Sequence, residues 1–192
     1  MPNNVNVTDF IVSRYQSNRN RTLNHLMQND IGNNIVISGD SHASWVSDLV
    51  WLDESNYNED SGKGGLGAEF GGSAVTSPCP FGQNITIKDA NNITDWMTSH
   101  NPELHWNDAY YRGYFELHIT YDQVEAKYFG MPTIVTRNPY EISLANFTVK
   151  SGANKLTRPI AGGVAEVGSL KGGQIQQTNI TNNTETGKYF IR

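Results

Sequence analysis

Residues 34–42, Asn-Ile-Val-Ile-Ser-Gly-Asp-Ser-His, constrain the fold more than any other stretch of this chain. Ile35, Val36 and Ile37 are contiguous, β-branched and apolar, which marks Asn34–Ser38 as a short buried strand. Gly39 breaks it and lets the backbone turn sharply. Upstream, Leu23, Leu26 and Met27 recur at helical spacing, so residues 16–30 read as a helix that stops near Gly32. Downstream, residues 43–52 are expected to form a second helix, with Trp45, Leu49 and Trp51 as core candidates. Helix, strand, loop, helix is an α/β order. In such folds functional loops sit at the C-terminal ends of strands, where Asp40 and His42 lie.

Further along, residues 53–67 are polar and rich in Gly, Asn and Asp, a loop. Leu66–Thr76 is small and apolar, a strand running close to other backbone. Residues 89–99 read as a helix with Trp96 and Met97 inward, broken at Asn101-Pro102. Gly113–Thr120 and Gln123–Gly130 alternate at strand period and predict a hairpin turning at Tyr121-Asp122. Ile142–Val149 could add a strand. Residues 150–192 hold few large apolar groups and are expected to form a loosely structured tail.

The 192 residues suit one domain or a large part of one. Four Trp, nine Tyr and seven Phe can seed a core, and charged residues are only 17%, which excludes a disordered chain. A net charge of −5 without a basic run argues against nucleic acid as the main partner. No apolar run approaches the roughly 18–20 residues of a membrane span. Cys79 is the single cysteine, so no intrachain disulfide can form. It reads as a small apolar residue between two prolines or, alternatively, as a reactive or metal-ligating thiol. Asn-x-Thr sequons start at Asn6, Asn20, Asn84, Asn92, Asn146, Asn179 and Asn182, where chance placement gives about three. They point to N-glycosylation in a secretory compartment, with Asn/Thr-rich loop composition as the alternative. Residues 1–6 lack the basic and apolar regions of a signal peptide, which suggests a segment upstream.

Asp40 and His42 are two residues apart, which in an extended loop places both side chains on one side. A carboxylate offers hard oxygens and an imidazole a borderline nitrogen. The pair suits a site holding one transition metal and one hard cation. Two metals about 3.5–4 Å apart can activate water and stabilise an in-line phosphoryl displacement. Taken alone, Gly-Asp-x-His is a weak signal, because such a His is often only a hydrogen-bonding group.

The surrounding blocks sharpen it. Asn34–Trp51 resembles the last metal-binding motif of the alkaline phosphatase D (PhoD) family. Arg19–Leu26 resembles the helix before it. Gly67-Ala-Glu-Phe-Gly-Gly-Ser-Ala-Val-Thr-Ser-Pro78 resembles the family's Glu-Phe…Ser-x-Thr-Ser block. Asn101-Pro102 followed by Tyr111-Arg112-Gly113-Tyr114 resembles its late signature. The resemblance covers residues 16–130 in order, and the tail is similar to extensions of the fungal branch. It implies an α/β fold, the C-terminal half of a calcineurin-like metallophosphoesterase β-sandwich flanked by helices. It further implies iron and calcium as cofactors and hydrolysis of phosphate mono- and diesters. Many relatives carry Gly-His-x-His at this loop. Asp40 stands where the first His would be, so Asp40 suits calcium and His42 the transition metal.

The resemblance also divides the chain into a poorly defined segment 1–15, a metallophosphatase part 16–149 and an extension 150–192. The other metal ligands of the family come from earlier motifs, and none precedes residue 35. Two ligands cannot build a dinuclear site, so the missing half of the domain is the expected partner, an apolar sheet edge is expected where it would pack, and the chain alone should be inactive. A non-catalytic secreted glycoprotein and a truncated product without a function of its own are the rivals.

Other residues stay open. Glu69 either hydrogen-bonds the His42 ring and orients it or is a solvent-facing or capping carboxylate. Arg112 binds substrate phosphate or makes a structural ion pair. His100, His105 and His118 read as surface or strand residues, and Tyr110, Tyr111 and Tyr114 as packing. Asp48 is expected to face solvent on a helix.

Overall fold

The computed structural model describes residues 16–51, 54–137, 139–163, 169–170, 180–183 and 188–191. Helix α1 (Gln16–Gln28) turns out of its last turn at Asp30, whose φ is +50°. Ile31 N–H donates to the Leu26 carbonyl at 2.9 Å and Asp30 N–H to Met27 at 3.3 Å, a Schellman closure made by Asp30 rather than Gly32.

Strand β1 (Asn34–Ser38) runs parallel to β3 (Gly67–Gly71), which pairs antiparallel with β2 (Ser44–Leu49). Beyond β2 lie β4 (Leu104–Asp108) and the two-residue β8 (Ser169–Leu170), in the order β1-β3-β2-β4-β8. A second sheet is the meander of β5 (Gly113–Ile119), β6 (Gln123–Gly130) and β7 (Ile142–Lys150), the hairpin that the alternating pattern predicts with one more strand added over residues 142–150. Strands β9 (Ile180–Asn183) and β10 (Lys188–Ile191) pair with each other. No described helix is long and apolar enough to cross a membrane.

The two larger sheets meet through aromatic rings. Trp106 of β4 lies with its ring centroid 5.0 Å from Tyr128 of β6 and 5.6 Å from Phe147 of β7, within the edge-to-face and tilted range that favours such pairs. Helix α2 (Ile87–His100) packs against β4, and Thr94 donates to Asn107 at 2.9 Å. Gly67 is required by close approach, since a Cβ there would collide with the Asn34 carbonyl of β1.

Three expectations change. Residues 44–49 are a strand, not a helix. Trp45 and Leu49 are four apart, a spacing that one face of a helix and one face of a strand share. β2 lies between two strands and all six residues are buried, so no alternation of polar and apolar residues reveals its period. Asp48 therefore faces the interior rather than solvent, at 0% exposure. His105, read as a surface or strand residue, lies on strand β4, buried at 4%. β1 is an edge strand in which Val36 is 37% and Ile37 61% exposed, so the apolar run covers a sheet edge.

The start of the C-terminal segment packs on the first sheet. Leu156 is buried and its N–H donates to Asp48 at 2.7 Å. Arg158 Nη2 donates to the other Asp48 oxygen at 2.6 Å. Asn6 and Asn179 lie outside the described residues, whereas Asn84, Asn92 and Asn146 are exposed and Asn20 is half-buried.

Helix α2 begins at Ile87, two residues before the expected start at residue 89, and Thr86 is its N-cap. Thr86 is extended, and its hydroxyl accepts from Asp89 N–H at 3.1 Å while donating to the Asp89 carboxylate. Thr86→Ala is expected to cost about 1 kcal/mol. A urea denaturation midpoint unchanged from the wild-type chain would contradict this.

Candidate metal-binding loop

The candidate loop leaves β1 and enters β2, at the end of the first sheet where β3 and β4 also terminate. Asp40 has φ +65° and His42 φ +60°, both in the left-handed region. Each such residue costs of order 1–3 kcal/mol and persists only where its surroundings hold it, a pattern concentrated at functional sites. Here the holding contacts are visible. Trp45 Nε1 donates to Ser41 Oγ at 2.7 Å, and Ser41 Oγ donates to the Ala43 carbonyl at 3.0 Å. Ser41 is buried, so the loop is pinned from beneath while its neighbours on either side turn outward.

His42 Nδ1 lies 3.0 Å from the Pro78 carbonyl oxygen. A carbonyl only accepts, so Nδ1 carries the proton and the neutral ring keeps its lone pair on Nε2. Nε2 lies 3.9 Å from Asp40 Oδ1. Asp40 is fully exposed and His42 is 35% exposed. An imidazole whose second nitrogen donates to a backbone carbonyl, with the first nitrogen free beside a carboxylate, is the arrangement of metal-binding histidines. The sequence placed the two side chains together by assuming an extended loop; they converge through two left-handed residues instead.

These donors fit a metal in kind but not in number. Among the described residues no group of three or more His, Cys, Asp or Glu comes together as a metal cage. A tetrahedral transition-metal site needs about four donors and calcium about six to eight, so Asp40 and His42 supply part of a centre.

Glu69 is buried and accepts from Ser38 Oγ at 2.8 Å, which places it behind the strand and not against solvent. Burial raises its pKa, and the Ser38 bond works against that. Its hydrogen bond is to Ser38, not to His42. The Arg112 guanidinium is 6% exposed and donates to the carbonyls of Ser77 at 3.0 Å, Ala109 at 2.8 Å and Tyr110 at 3.2 Å. Asp108, fully buried beside it, accepts from Tyr110 and Tyr111 N–H at 2.7 and 3.1 Å. Burial pushes the Asp108 carboxyl up to about 6, against the pull of those bonds and of Arg112. Cys79 is buried and its thiol is raised, chiefly by burial, which is the behaviour of a packing residue. His100 and His118 are exposed. The Pro78 carbonyl and the Trp45–Ser41 bond were not legible in the sequence, because backbone acceptors have no signature of their own.

A family model described as PhoD-like phosphatase matches residues 6–128. Alkaline phosphatase D of Bacillus subtilis (strain 168) is 32% identical over 157 residues, covering 79% of this chain and 25% of that protein. A solved structure, "Structure of PhoD", superposes with a TM-score of 0.59 at 26% identity, covering 84% of this chain and 28% of its own. The chain thus spans about a quarter of the length of the relatives it matches.

Proposed function

Because this chain belongs to the PhoD-like phosphatase family, we propose that it forms part of the catalytic domain of a metal-dependent phosphoester hydrolase and that Asp40 and His42 are two ligands of its metal centre. The carrying observation is the His42 ring, fixed by the Pro78 carbonyl with its Nε2 lone pair turned toward Asp40. Iron at the imidazole and calcium at the carboxylate fit the hard and borderline character of the two donors. When bound, such a pair lowers the pKa of water and stabilises charge on the transferring phosphoryl group. His42 holds its side of the centre through Nε2 with no proton to displace. Asp40 supplies a carboxylate that neutralises positive charge, and Ser41 and Trp45 keep both residues in position. The partner is the remainder of the catalytic domain, and the exposed edge β1 with Val36 and Ile37 is an apolar surface suited to it. The exposed sequons at Asn84, Asn92 and Asn146 favour a secreted glycoprotein.

This chain by itself is expected to show no robust hydrolysis of para-nitrophenyl phosphate in the presence of iron and calcium, because two donors leave each metal under-coordinated. Metal-dependent turnover by the isolated chain would overturn the reading of a partial site. Protein recovered from its source should carry near-stoichiometric iron and calcium and endoglycosidase-sensitive mass. Absence of both metals would sink the hydrolase reading, and absence of the glycan the secreted one.

A further inference from the structure

A cavity of about 230 Å³ opens between the Ser77–Ile85 loop, the Tyr110–Arg112 turn and residues 131–135. It lies at the sheet end that carries the candidate metal loop. Ser44, two residues after His42, pairs with Asp108 of β4, and Tyr110–Arg112 follow directly. The third wall is tied on by Met131 N–H, which donates to the Arg112 carbonyl at 2.7 Å. Pro78 belongs to both places: it lines the cavity, and its carbonyl accepts from His42.

Resting on the phosphoesterase reading above, we infer that this cavity receives the organic group of the phosphoester, an apolar moiety about one ring in size. Three observations converge on it. The first is the lining. Ile85, Tyr110, Met131, Ile134 and Val135 present apolar surface, and Val135 is 88% and Ile134 44% exposed, so the mouth keeps apolar side chains in water until something covers them. The second is the state of its one cation. The three carbonyl bonds of Arg112 go to Ser77, Ala109 and Tyr110, two of the cavity's walls, and buried Asp108 stands beside it. The guanidinium braces the walls, with both terminal nitrogens engaged by those carbonyls, so recognition falls to apolar contact. The third is size. Sites for drug-sized ligands run from about 300 to 1,000 Å³, so a smaller cavity suits one ring or a short alkyl group.

The test uses the chain as it is, with backbone amide NMR and three probes: para-nitrophenol, para-nitrophenyl phosphate and inorganic phosphate. The first two are expected to shift the amides of Tyr110–Arg112 and Met131–Val135 with similar affinity, while inorganic phosphate leaves them in place. Ile134→Asp, at a half-exposed position that tolerates a charge, should weaken both aromatic probes about tenfold, the equivalent of about 1.4 kcal/mol. Adding a metal chelator should leave para-nitrophenol binding unchanged, which separates this inference from the metal reading. Shifts by inorganic phosphate alone at these residues would make the cavity an anion site and overturn the inference. So would aromatic probes that bind elsewhere or not at all, with or without the chelator.

Discussion

Asp48→Ala is expected to lower the stability of this chain by about 3–5 kcal/mol, the cost of breaking a buried ion pair on one side. Asp48 is completely buried in the middle of the first sheet and serves four donors. Oδ1 accepts from Leu156 N–H at 2.7 Å; Oδ2 accepts from Arg158 at 2.6 Å and from Tyr57 OH at 2.8 Å, with His105 Nε2 at 3.4 Å. Removing the carboxylate strands these groups and cuts the tie between β2 and residues 156–158, although the segment stays bonded elsewhere, for example by Thr157 N–H to the Thr148 carbonyl at 2.7 Å. Burial works to raise the Asp48 pKa, but the bonds from His105, Arg158 and Leu156 outweigh it and hold the carboxyl below the ordinary 3.8. A folded-state value below the unfolded one means that this stabilisation is present above the ordinary value and is lost as pH falls through the folded one. Wild-type stability should therefore drop on acidification below about pH 4, and Asp48→Ala should flatten that limb. Urea melts at neutral and acid pH measure both effects. A loss under 1 kcal/mol, or an acid limb unchanged in the variant, would show that the cluster is replaceable.

On the proposed reading His42→Ala removes a direct ligand and should weaken binding of a transition-metal probe by more than the roughly 10–100-fold that losing a hydrogen-bond partner of a ligand costs. Mn²⁺ suits the measurement, since its paramagnetism broadens nearby amide signals. In the wild-type chain, broadening should begin at residues 39–43, and in His42→Ala it should require correspondingly more metal. Asp40→Asn keeps a carbonyl oxygen but loses the charge, and is expected to weaken binding less. Broadening that starts elsewhere, or that is indifferent to His42, would remove the loop from the metal centre. Urea melts of His42→Ala guard against a folding effect. A half-exposed left-handed residue replaced by Ala should change stability only modestly, whereas the metal effect should be large.

Local pattern carried much of the fold. The alternation of β5 and β6 and the apolar face of α2 show their periods in sequence, because each element has a polar side to contrast with its buried one, whereas β1 is legible from its contiguous β-branched run. β2 has no polar side, so its strand period was hidden and Asp48 was taken for a solvent-facing group. The cluster of Asp48 with His105, Tyr57 and Arg158 was hidden for a related reason, since these partners are distant in sequence and nothing local announces a buried ionic cluster.

The sequence by itself determined the metal-type donors Asp40 and His42, their place after a strand and the family they belong to. Covalent spacing and a glycine are enough to put a carboxylate and an imidazole on one loop. Only the tertiary structure decided which imidazole nitrogen is free and what cavity lies alongside. The Pro78 carbonyl that fixes the ring is 36 residues away in the chain, and Arg112 braces its walls from another loop. Those are contacts between backbone groups and distant elements, and a backbone carbonyl is the same in every residue until the fold brings it to a particular place.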